Sequence, residues 1–585
     1  MVRLKKKPRK PESNKSVLAS TVPASRRSFA PLLLVVLISF FAFLPVLRNG
    51  FVNWDDDRYV TGNASIRSLN ISEVFSRYFE GNYHPITLIV YSIEYQLFGF
   101  RPAGYHAVNL LLHLLNVVLV FRAILLLTKK REVALVAALL FGIHPLHVES
   151  VAWVSELKDL LYSAFFLGAL ICYLRFHDEK KKKLYFFSLG LFLLSLLSKA
   201  LAVSLPGVLL LTDHFRGRKP SLSVWLEKVP FLALSVVFGV VAIFAQRSTA
   251  AMQFLDVYPL QQRLVFASYG FVMYLVKLVV PFSLSAVYPY PVQSGAALTG
   301  WLYAYPVALL AVAALVLYSL RFSKEIFFGF AFFLTTVFFV LQLLPVGKAI
   351  MADRYVYIPS IGIFYLAGEA AWRWYRSSNI AITNHKVAGA VLAGALIVFF
   401  SATTYARCEV WRDSLALWTD VISKEENAVI AYNKRGIVWI GQNNADRAFQ
   451  DFSKAIQLAS VEPQTYNSRG NIYVAQKKYD EALADYNKAL ELDPAYSFAY
   501  NGRGVLFIQQ EKFTEAVSEF SKAIELQPRY AAAYFNRSIA QHSLEHQTSS
   551  CQDLQQAVSL AHPPAAQLYD QWCRKVPDKP LPALK

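Results

Sequence analysis

Charged residues are scarce in this chain, and their scarcity excludes an ordinary soluble protein. Only 17% of the 585 residues are Asp, Glu, Lys or Arg, whereas about 25% are charged in an average soluble protein. Hydrophobic residues make up 55% of the chain and form a succession of apolar runs within residues 30–405. Residues 406–585 lack such runs. The composition therefore predicts a protein that crosses a membrane several times and carries an appended soluble domain.

Acidic residues are also few beside the basic ones, which gives a net charge of +19 at pH 7. The distribution of this charge argues against a nucleic-acid partner, because the Lys and Arg residues form short clusters between apolar runs. Loops of this kind stay in the cytoplasm, so the charge is a topology signal. The clusters lie within 1–30, 122–131, 175–183, 216–219, 321–324 and 373–386.

These clusters predict the direction of each membrane crossing. With a basic tail (1–29) in the cytoplasm, about eleven spans place the loop 48–102 and the C-terminal domain outside it, in a bacterial inner membrane or an endoplasmic reticulum membrane. The first apolar run has no small-residue cleavage site, which argues against a signal peptide. The stretch 263–282 is amphipathic, so we expect an interfacial helix there. The spans are expected at about 30–47, 103–121, 132–147, 152–174, 184–198, 200–214, 229–246, 301–320, 326–344, 355–373 and 386–404.

A repeat of 34 residues runs through the C-terminal domain. Its period and its Ala-x3-aromatic spacing are those of tetratricopeptide repeats, whose stacked helices offer a concave surface to a partner protein or peptide. Four repeats are expected over 429–562, after a linker or half repeat at 406–428 and before a capping helix and tail at 563–585. A purely stabilising or oligomerising role is the alternative. The recurring residues include Tyr432, Tyr466, Tyr500 and Tyr534, Arg435, Arg469, Arg503 and Arg537, Gly436, Gly470 and Gly504, and Ala448, Ala482 and Ala516.

Cysteine is rare, with four residues in the chain. Cys172 lies in a predicted span, and Cys408 follows the last one. Cys551 and Cys573 fall on two consecutive C-terminal helices, where a disulfide is permitted if this domain lies outside the cytoplasm. The sequence leaves that pairing open.

An acidic cluster follows the first apolar run directly. Carboxylates are costly to keep beside hydrocarbon, so a cluster at this place points to a function. Asp55 or Asp56 can act as a general base toward a hydroxyl group, or can bind a divalent cation. Asp57 with Arg58 is interpreted instead as a solvated surface pair.

Basic and histidine residues fall on the same predicted side of the membrane as this cluster. Lys158, Lys199 and Arg354 can hold a phosphate group, although the last two can also reach from span ends to the interface. His84 and His106 are interpreted mainly as helix caps or interfacial residues, with a ligand or catalytic role as the alternative.

Three further residues match a metal triad by residue type alone. His144, His147 and Glu149 have a loose His-x-x-His-x-Glu spacing. Pro145 interrupts the helix that would align them, so zinc is the lesser alternative.

Six motifs follow one another in the membrane part. They are Asp55-Asp56-x3-Val60-x2-Asn63, His-Pro-Leu-His-Val-Glu-Ser-Val-Ala-Trp (144–153), Lys-Asp-Leu-Leu (158–161), Lys-Ala-x-Ala-Val-x-Leu-Pro (199–206), Ala-Val-Tyr-Pro-Tyr-Pro (286–291) and Asp-Arg-Tyr-Val-Tyr-Ile-Pro-Ser-Ile-Gly (353–362). In this order they resemble the transmembrane-and-TPR O-mannosyltransferases, a branch of the GT-C glycosyltransferases. The resemblance covers about 30–575.

This resemblance implies an all-α fold, in which a GT-C-type membrane domain (30–405) precedes a tetratricopeptide-repeat α-solenoid. It implies transfer of a sugar, expected to be mannose, from a polyprenyl-phosphate donor to a hydroxyl acceptor, which is protein Ser or Thr in animal members. Asp55 and Asp56 become the acidic pair of a catalytic loop. Asp353-Arg354 becomes a second site, where other members often have Glu-Arg. Because members are often metal-independent, no metal ligand is assigned, and a divalent cation stays an open alternative.

A second hypothesis belongs to a different class of protein. The chain could be a non-catalytic membrane anchor that presents the repeats as a scaffold, and a transporter is a more distant third. The presence of Asp55, Asp56 and Arg354 favours the enzyme, because an anchor has no need of them.

Overall fold

The computed structural model describes residues 29–248, 258–292, 296–343, 349–377 and 383–573. Within these ranges the chain is helical apart from one sheet of two short strands, which confirms the all-α class. The predicted basic tail (1–29) lies outside the described residues apart from Phe29, and so does the C-terminal tail from 574 onward.

The helices of the membrane part are α1 (Ala30–Ala42), α2 (Ile71–Ser76), α3 (Pro85–Phe98), α4 (Pro102–Thr128), α5 (Arg131–Ile143), α6 (Val148–Ala152), α7 (Leu157–Glu179), α8 (Lys182–Ser198), α9 (Leu205–Phe215), α10 (Leu222–Leu226), α11 (Val229–Arg247), α12 (Leu260–Val279), α13 (Ala304–Ser319), α14 (Lys324–Val337), α15 (Ser360–Ser377) and α16 (Thr383–Val410). The C-terminal helices are α17 (Ser414–Lys424), α18 (Val429–Gly441), α19 (Ala445–Gln457), α20 (Pro463–Ala475), α21 (Tyr479–Leu492), α22 (Ser497–Gln509), α23 (Phe513–Leu526), α24 (Ala531–Ser543), α25 (Gln547–Ser559) and α26 (Ala565–Trp572). The strands are β1 (Tyr288–Pro289) and β2 (Ala349–Met351).

Among the described residues, six helical segments are long and apolar enough to cross a membrane, or seven if the bent pair of α5 and Pro145–Ala152 counts as one. Every predicted span coincides with a helix, but several of these helices are short, so the count of eleven stays a prediction. The helix α12, expected to lie in the interface, is one of the six. Its 20 residues cover 263–279 of the predicted interfacial stretch, and half of its apolar window is buried.

A polar stripe on α4 fixes the segment that connects α5 to α7. His106, Asn109, His113 and Asn116 recur at helical spacing and are all buried. The amide of Asn109 donates to the carbonyls of Val151 and Trp153, at 3.3 and 3.2 Å. The connecting segment bends by 55° after α5, where Pro145 interrupts the helix as the sequence predicts. A broken helix leaves carbonyl groups without intrahelical partners, and the stripe on α4 satisfies several of them.

The small sheet joins two of the motifs quoted above. The strands β1 and β2 pair antiparallel, with Tyr288 opposite Met351. The Tyr288 hydroxyl donates a hydrogen bond of 2.8 Å to the carboxylate of Asp353. The segments 286–291 and 353–362 therefore meet on the same side of the bundle, beside the bend after α5.

The C-terminal helices form four antiparallel pairs, from α18 with α19 to α24 with α25. Within each pair an arginine of the first helix binds a carboxylate of the second through two hydrogen bonds. For example, Arg469 donates to Asp485 through Nε and Nη2, at 2.8 Å each. The corresponding pairs are Arg435 with Asp451, Arg503 with Glu519 and Arg537 with Asp553. The recurring arginines therefore belong to the architecture of the repeats.

The recurring glycines have a steric reason. A Cβ atom on Gly436 would lie 2.6 Å from the ring of Phe452, and one on Gly504 would lie equally close to the ring of Phe520. In the fourth repeat the aromatic position is occupied by Leu554, and Ser538 stands where the glycine is expected. The smaller Leu side chain makes room for a Cβ atom, so the exception follows the same rule of close packing.

The C-terminal end of the array carries a covalent link. Cys551 on α25 and Cys573, which follows α26, form a disulfide. The helix α26 thereby closes over the last repeat, in the place predicted for a capping helix.

Candidate functional site

The two aspartates that lead the acidic cluster have different surroundings. Asp56 is 1% exposed. Its Oδ1 accepts hydrogen bonds from the backbone and hydroxyl of Ser155, at 3.0 and 2.5 Å, and its Oδ2 accepts one of 2.9 Å from the backbone of Val52. Asp55 is only partly buried. The sequence does not distinguish the two residues, whereas the structure ties Asp56 into the protein and leaves Asp55 the more accessible carboxylate.

The surroundings of both carboxylates raise their pKa values. Burial raises the pKa of Asp56 to about 7, against the lowering effect of its hydrogen bonds from Ser155 and Val52. Burial also raises the pKa of Asp55, and the ammonium of Lys158 partly counteracts this rise. A carboxylate with a raised pKa is a stronger base, which suits Asp55 to proton abstraction.

A buried carboxylate that was not assigned a role from the sequence organises the cations of the site. Glu156 lies 3.2 Å from Lys158, 3.2 Å from Lys199 and 3.4 Å from Arg354, measured between the charged atoms. Lys199 also binds the carboxylate of Asp159. Glu156 and Asp159 lie on either side of Lys158 in the chain, so the available signal was charge of both signs at the start of an apolar span.

Lys158 and Lys199 line a cavity of about 600 Å³. Tyr355 and Asn82 add polar atoms to its lining. Apolar side chains of α11, including those of Val236 and Ile243, line the same cavity. Val236 and Ile243 are 65% and 39% exposed, and they belong to a segment long and apolar enough to cross a membrane. The lining of the cavity thus combines two ammonium groups with a helix whose outer face suits lipid.

His84 lies in the wall of the same cavity. It precedes α3, its side chain is buried, and its ring packs against that of Tyr59 at 5.4 Å between centroids. Its Nε2 has no hydrogen-bond partner among the described residues. Burial lowers the pKa of His84 to about 3, with Lys158 adding to the effect, so the imidazole is neutral. This nitrogen is buried within the wall, so the ring would have to shift before Nε2 could form a hydrogen bond with a ligand in the cavity.

Arg354 contacts Glu156, the carboxylate that also binds the two lysines. Its guanidinium binds the carboxylate of Glu149 and lies 5.4 Å from the ring centroid of Trp153. Its backbone N–H also donates to Glu149, at 3.1 Å. Asp353 turns away from these groups toward Tyr288, and burial raises its pKa to about 7, with Glu149 adding to the rise. Arg354 and Glu149 therefore lie next to Glu156 and its two lysines, and neither residue lines the cavity.

The other histidines considered in the sequence analysis form hydrogen bonds with groups of the protein. His106 binds the carbonyl of Gly50 at 3.3 Å, and His144 binds the carbonyl of Leu278 at 3.1 Å. His147 lies between the Phe141 carbonyl and the Ser360 hydroxyl. The structure does not bring these three residues to the cavity. Within the described ranges, no three His, Cys, Asp or Glu side chains converge so as to hold a metal ion.

The segment that carries Asp55 also contacts the C-terminal domain. Asn53 binds residues of α17 and α18 through its backbone and its side chain. The ring of Trp54 stacks on that of Trp153 at 4.4 Å and lies 5.4 Å from that of Trp418, a residue of α17. No periodicity or motif in the sequence signals these contacts, which join residues more than 360 positions apart.

Comparisons with known proteins agree with the family resemblance. The chain is 24% identical over 461 residues to the protein O-mannosyl-transferase F38B6.6 of Caenorhabditis elegans, covering 73% of this chain and 62% of that protein. It is 30% identical to the protein O-mannosyl-transferase TMTC3 of Mus musculus, over 25% of this chain and 17% of that protein. It is 33% identical to the protein O-mannosyl-transferase TMTC1 of Homo sapiens, over 23% of this chain and 16% of that protein. The chain spans less than two thirds of the length of these relatives. The resemblance to the transmembrane-and-TPR O-mannosyltransferases is confirmed.

Family models match the C-terminal domain. Residues 463–496 match the tetratricopeptide repeat, and residues 504–544 match a second model, described as a TPR repeat. Among solved structures, the crystal structure of MamA is similar with a TM-score of 0.24 and 17% identity, over 26% of this chain and 90% of that one. The family models confirm the repeats predicted from the 34-residue period.

Proposed function

We propose that this protein is a membrane glycosyltransferase that moves mannose from a polyprenyl-phosphate donor to a hydroxyl group of an acceptor, with protein Ser or Thr as the expected acceptor. The observation that carries the proposal is the cavity that joins two ammonium groups, from Lys158 and Lys199, to the apolar face of α11. A lipid-linked sugar phosphate has the same two-part chemistry. Relatives named protein O-mannosyl-transferases support the choice of sugar and reaction.

The donor is held in two ways in this proposal. Its phosphate lies against the ammonium groups of Lys158 and Lys199, whose positions are fixed by Glu156. Its hydrocarbon chain follows the exposed side chains of α11 toward the bilayer. The neutral ring of His84 forms part of the cavity wall beside these lysines. Charge pairing and apolar burial then act on different parts of one ligand.

Asp55 acts as the general base in this proposal. Its carboxylate takes the proton from the acceptor hydroxyl while the acceptor oxygen forms a bond to the anomeric carbon of the sugar. The bond between that carbon and the phosphate oxygen breaks, and its electron pair leaves with the phosphate. The two lysines stabilise the negative charge that develops there. Asp56 holds the loop in place and does not touch the reacting atoms.

The position of the basic loops supports an extracytoplasmic site. The helix α4 begins beside the acidic loop, where its residue His106 binds Gly50, and continues for 27 residues, about 40 Å. Beyond its other end Lys129 pairs with Asp178 at 2.9 Å. The basic cluster and the cavity therefore lie at opposite ends of a helix long enough to cross a bilayer. By the positive-inside rule, we therefore propose that the cavity and the repeats beside it lie on the extracytoplasmic side.

The repeats have a role in this proposal as well. Stacked tetratricopeptide repeats generally bind peptides or proteins on their concave surface. Because the first of these helices touch the loop that carries Asp55, a polypeptide bound to the repeats would be close to the catalytic carboxylate. We propose that the repeats receive the acceptor protein or a partner that delivers it.

The test is transfer of radiolabelled mannose from polyprenyl-phosphate-mannose by the purified full-length protein, with a Ser/Thr-containing acceptor. Asp55→Asn should abolish most transfer. Asp57→Asn is the matched control, because it makes the same change on an exposed neighbour and should leave transfer close to wild type. Lys158→Met should weaken donor binding and raise the KM for the donor.

Three results would count against the proposal. Equal transfer by wild type and Asp55→Asn would remove Asp55 from the chemistry. Loss of transfer in Asp57→Asn as large as that in Asp55→Asn would mean that the assay reports loop damage. No transfer by wild type with any lipid-linked sugar, together with normal binding of proteins by the repeats, would favour the scaffold hypothesis.

A further inference from the structure

We propose that Asn53 is a positioning residue through which the first helices of the repeat domain hold Asp55 in its catalytic place. The inference rests on the proposed function, because it concerns the same carboxylate. It goes beyond that function by making the repeat domain a structural part of the active site as well as a docking surface.

Asn53 uses its backbone and both ends of its side chain to bind the C-terminal domain. Its backbone N–H donates to the Ser414 hydroxyl at 2.8 Å. Its side-chain amide donates to the carbonyl of Lys434 at 3.0 Å, and its Oδ1 accepts from the indole N–H of Trp418 at 2.6 Å. Ser414 and Trp418 belong to α17, and Lys434 belongs to α18. One side chain therefore connects the loop to two successive helices.

The neighbouring residues strengthen this attachment. The backbone N–H of Gly50 donates to the carbonyl of Arg412 at 2.8 Å. The ammonium of Lys434 lies 3.4 Å from the carbonyl of Trp54, whose ring packs against Trp418. Gly50, Asn53 and Trp54 thus all contact the start of the C-terminal domain.

The other side of the loop is held by the membrane domain. Asp56 binds Ser155, which lies just before α7. Asp55 therefore stands between two anchors: Asn53, two residues before it, faces the repeat domain, and Asp56, directly after it, faces the membrane domain. With both anchors in place, the backbone at Asp55 has little freedom to move. A general base must stay within about 0.5 Å of its working position, so loss of either anchor should reduce the rate of the chemical step.

This arrangement separates two kinetic effects. Lys158 and Lys199, which we assign to the donor phosphate, extend from the membrane domain and do not touch Asn53. Loss of the Asn53 contacts should therefore reduce kcat and leave the KM for the donor almost unchanged. A loosened loop also exposes Asp55 to water. Because burial raises the pKa of Asp55, greater exposure should move the acidic limb of the pH–rate profile to lower pH.

The experiment compares four full-length proteins: wild type, Asn53→Ala, Trp418→Phe and Asn471→Ala. Trp418→Phe keeps an aromatic ring but removes the N–H that reaches Asn53. Asn471→Ala is the matched control, because the Oδ1 of Asn471 likewise accepts a hydrogen bond from a buried aromatic residue, Tyr486 at 2.7 Å, but lies in the second repeat. The readouts are kcat and donor KM for mannose transfer, the pH–rate profile, and hydrogen exchange of segment 50–60.

The expected result is a fall in kcat of about 10- to 100-fold for Asn53→Ala. Its KM should stay within twofold, and exchange in segment 50–60 should be faster. Trp418→Phe should show a smaller effect in the same direction. Asn471→Ala should match wild type in kcat and donor KM when the acceptor is saturating, so that docking on the repeats does not limit the rate. Equal losses in Asn53→Ala and Asn471→Ala, or a donor KM that rises as much as kcat falls, would overturn the inference.

Hydrogen exchange separates this inference from the proposed function. If wild type transfers no mannose but Asn53→Ala still accelerates exchange around Asp55, the proposed reaction fails while the attachment of the loop stands. If exchange in segment 50–60 is the same in wild type and Asn53→Ala, Asn53 does not position the loop, whatever the transfer activity.

Discussion

Replacement of Asp56 by Asn tests whether the two aspartates have different roles, with Asp56 as an anchor of the loop and Asp55 as the general base. The carboxylate of Asp56 accepts three hydrogen bonds, two of them from Ser155 and one from the backbone of Val52. An amide has only one oxygen, so its NH2 group would face a backbone N–H on one of the two sides. One buried donor would lose its partner, which costs about 1–3 kcal/mol. The loop should then open more often, while the side chain of Asp55 keeps its chemistry.

Local hydrogen exchange measures this cost directly. A loss of about 1–3 kcal/mol corresponds to exchange that is roughly 5- to 150-fold faster at the amides of Val52 and Ser155. Ser155→Ala removes only the hydroxyl donor and should give an effect in the lower half of that range. Asp57→Asn should leave exchange unchanged, because its side chain is exposed.

The outcome also distinguishes an anchor from a catalyst. In our proposal Asp56→Asn reduces transfer in proportion to the loss of protection, and Asp55→Asn reduces it by about 100- to 10,000-fold without any change in protection. If Asp56→Asn abolishes transfer while the amides of Val52 and Ser155 keep their full protection, then Asp56 is the base and our assignment of the two roles is reversed.

Three further predictions concern charge and the disulfide. The acidic limb of the pH–rate profile should lie above the ordinary pKa of an aspartate, because burial raises the pKa of Asp55. Lys158→Met should move that limb to still higher pH, because it removes a cation that lowers the pKa of Asp55. Lys199→Met leaves two buried carboxylates with less compensation and should destabilise the purified protein by about 3–5 kcal/mol in thermal unfolding, with partial recovery in the double variant with Asp159→Asn. Cys551→Ser should remove a mobility shift on non-reducing gels and weaken the C-terminal cap by about 3 kcal/mol, because the link closes a loop of 22 residues; a reduced thiol in the native membrane would instead place this domain in the cytoplasm.

The repeats could be predicted from the sequence because each position depends on a partner at a fixed distance in the chain. Gly436 recurs because Phe452, sixteen residues later, fills the space in front of it. The arginine of each repeat finds its carboxylate at the same separation. Local rules of this kind repeat with the period of the structure, so a single sequence reveals them.

The details of the site could be predicted only in part. Charge and residue type predicted a role for Asp55, Lys158 and Lys199. The structure brings Lys158 near Asp55 and joins Lys158 to Lys199 through Glu156. Charge and residue type did not distinguish Asp55 from Asp56, because the difference depends on Ser155, about 100 residues away. For the same reason, the role that we propose for Asn53 could not be predicted from the sequence. Its partners are set by the way the C-terminal domain folds back on the loop, and no local pattern encodes that contact.

The membrane-spanning helices could be predicted less completely than the repeats but more completely than the site. Every span predicted from an apolar run coincides with a helix, but the structure shows helices such as α1 and α9 that are too short to span a bilayer alone. Hydropathy reports whether a segment prefers lipid, whereas the boundary of a helix also depends on its neighbours. Pro145 illustrates the difference, since it divides one apolar run into two helices inclined by 55°.

The arginine–carboxylate pairs in the repeats have a consequence for how such proteins can change over evolutionary time. Each pair is complete within one 34-residue unit, and among the described residues the loop that carries Asp55 is contacted by Arg412, α17 and the first repeat. Whole units could therefore be gained or lost at the far end of the array without disturbing the active site, provided that the last unit keeps a cap. Array length, and with it the reach for large acceptors, would then be free to diverge while the chemistry stays constant.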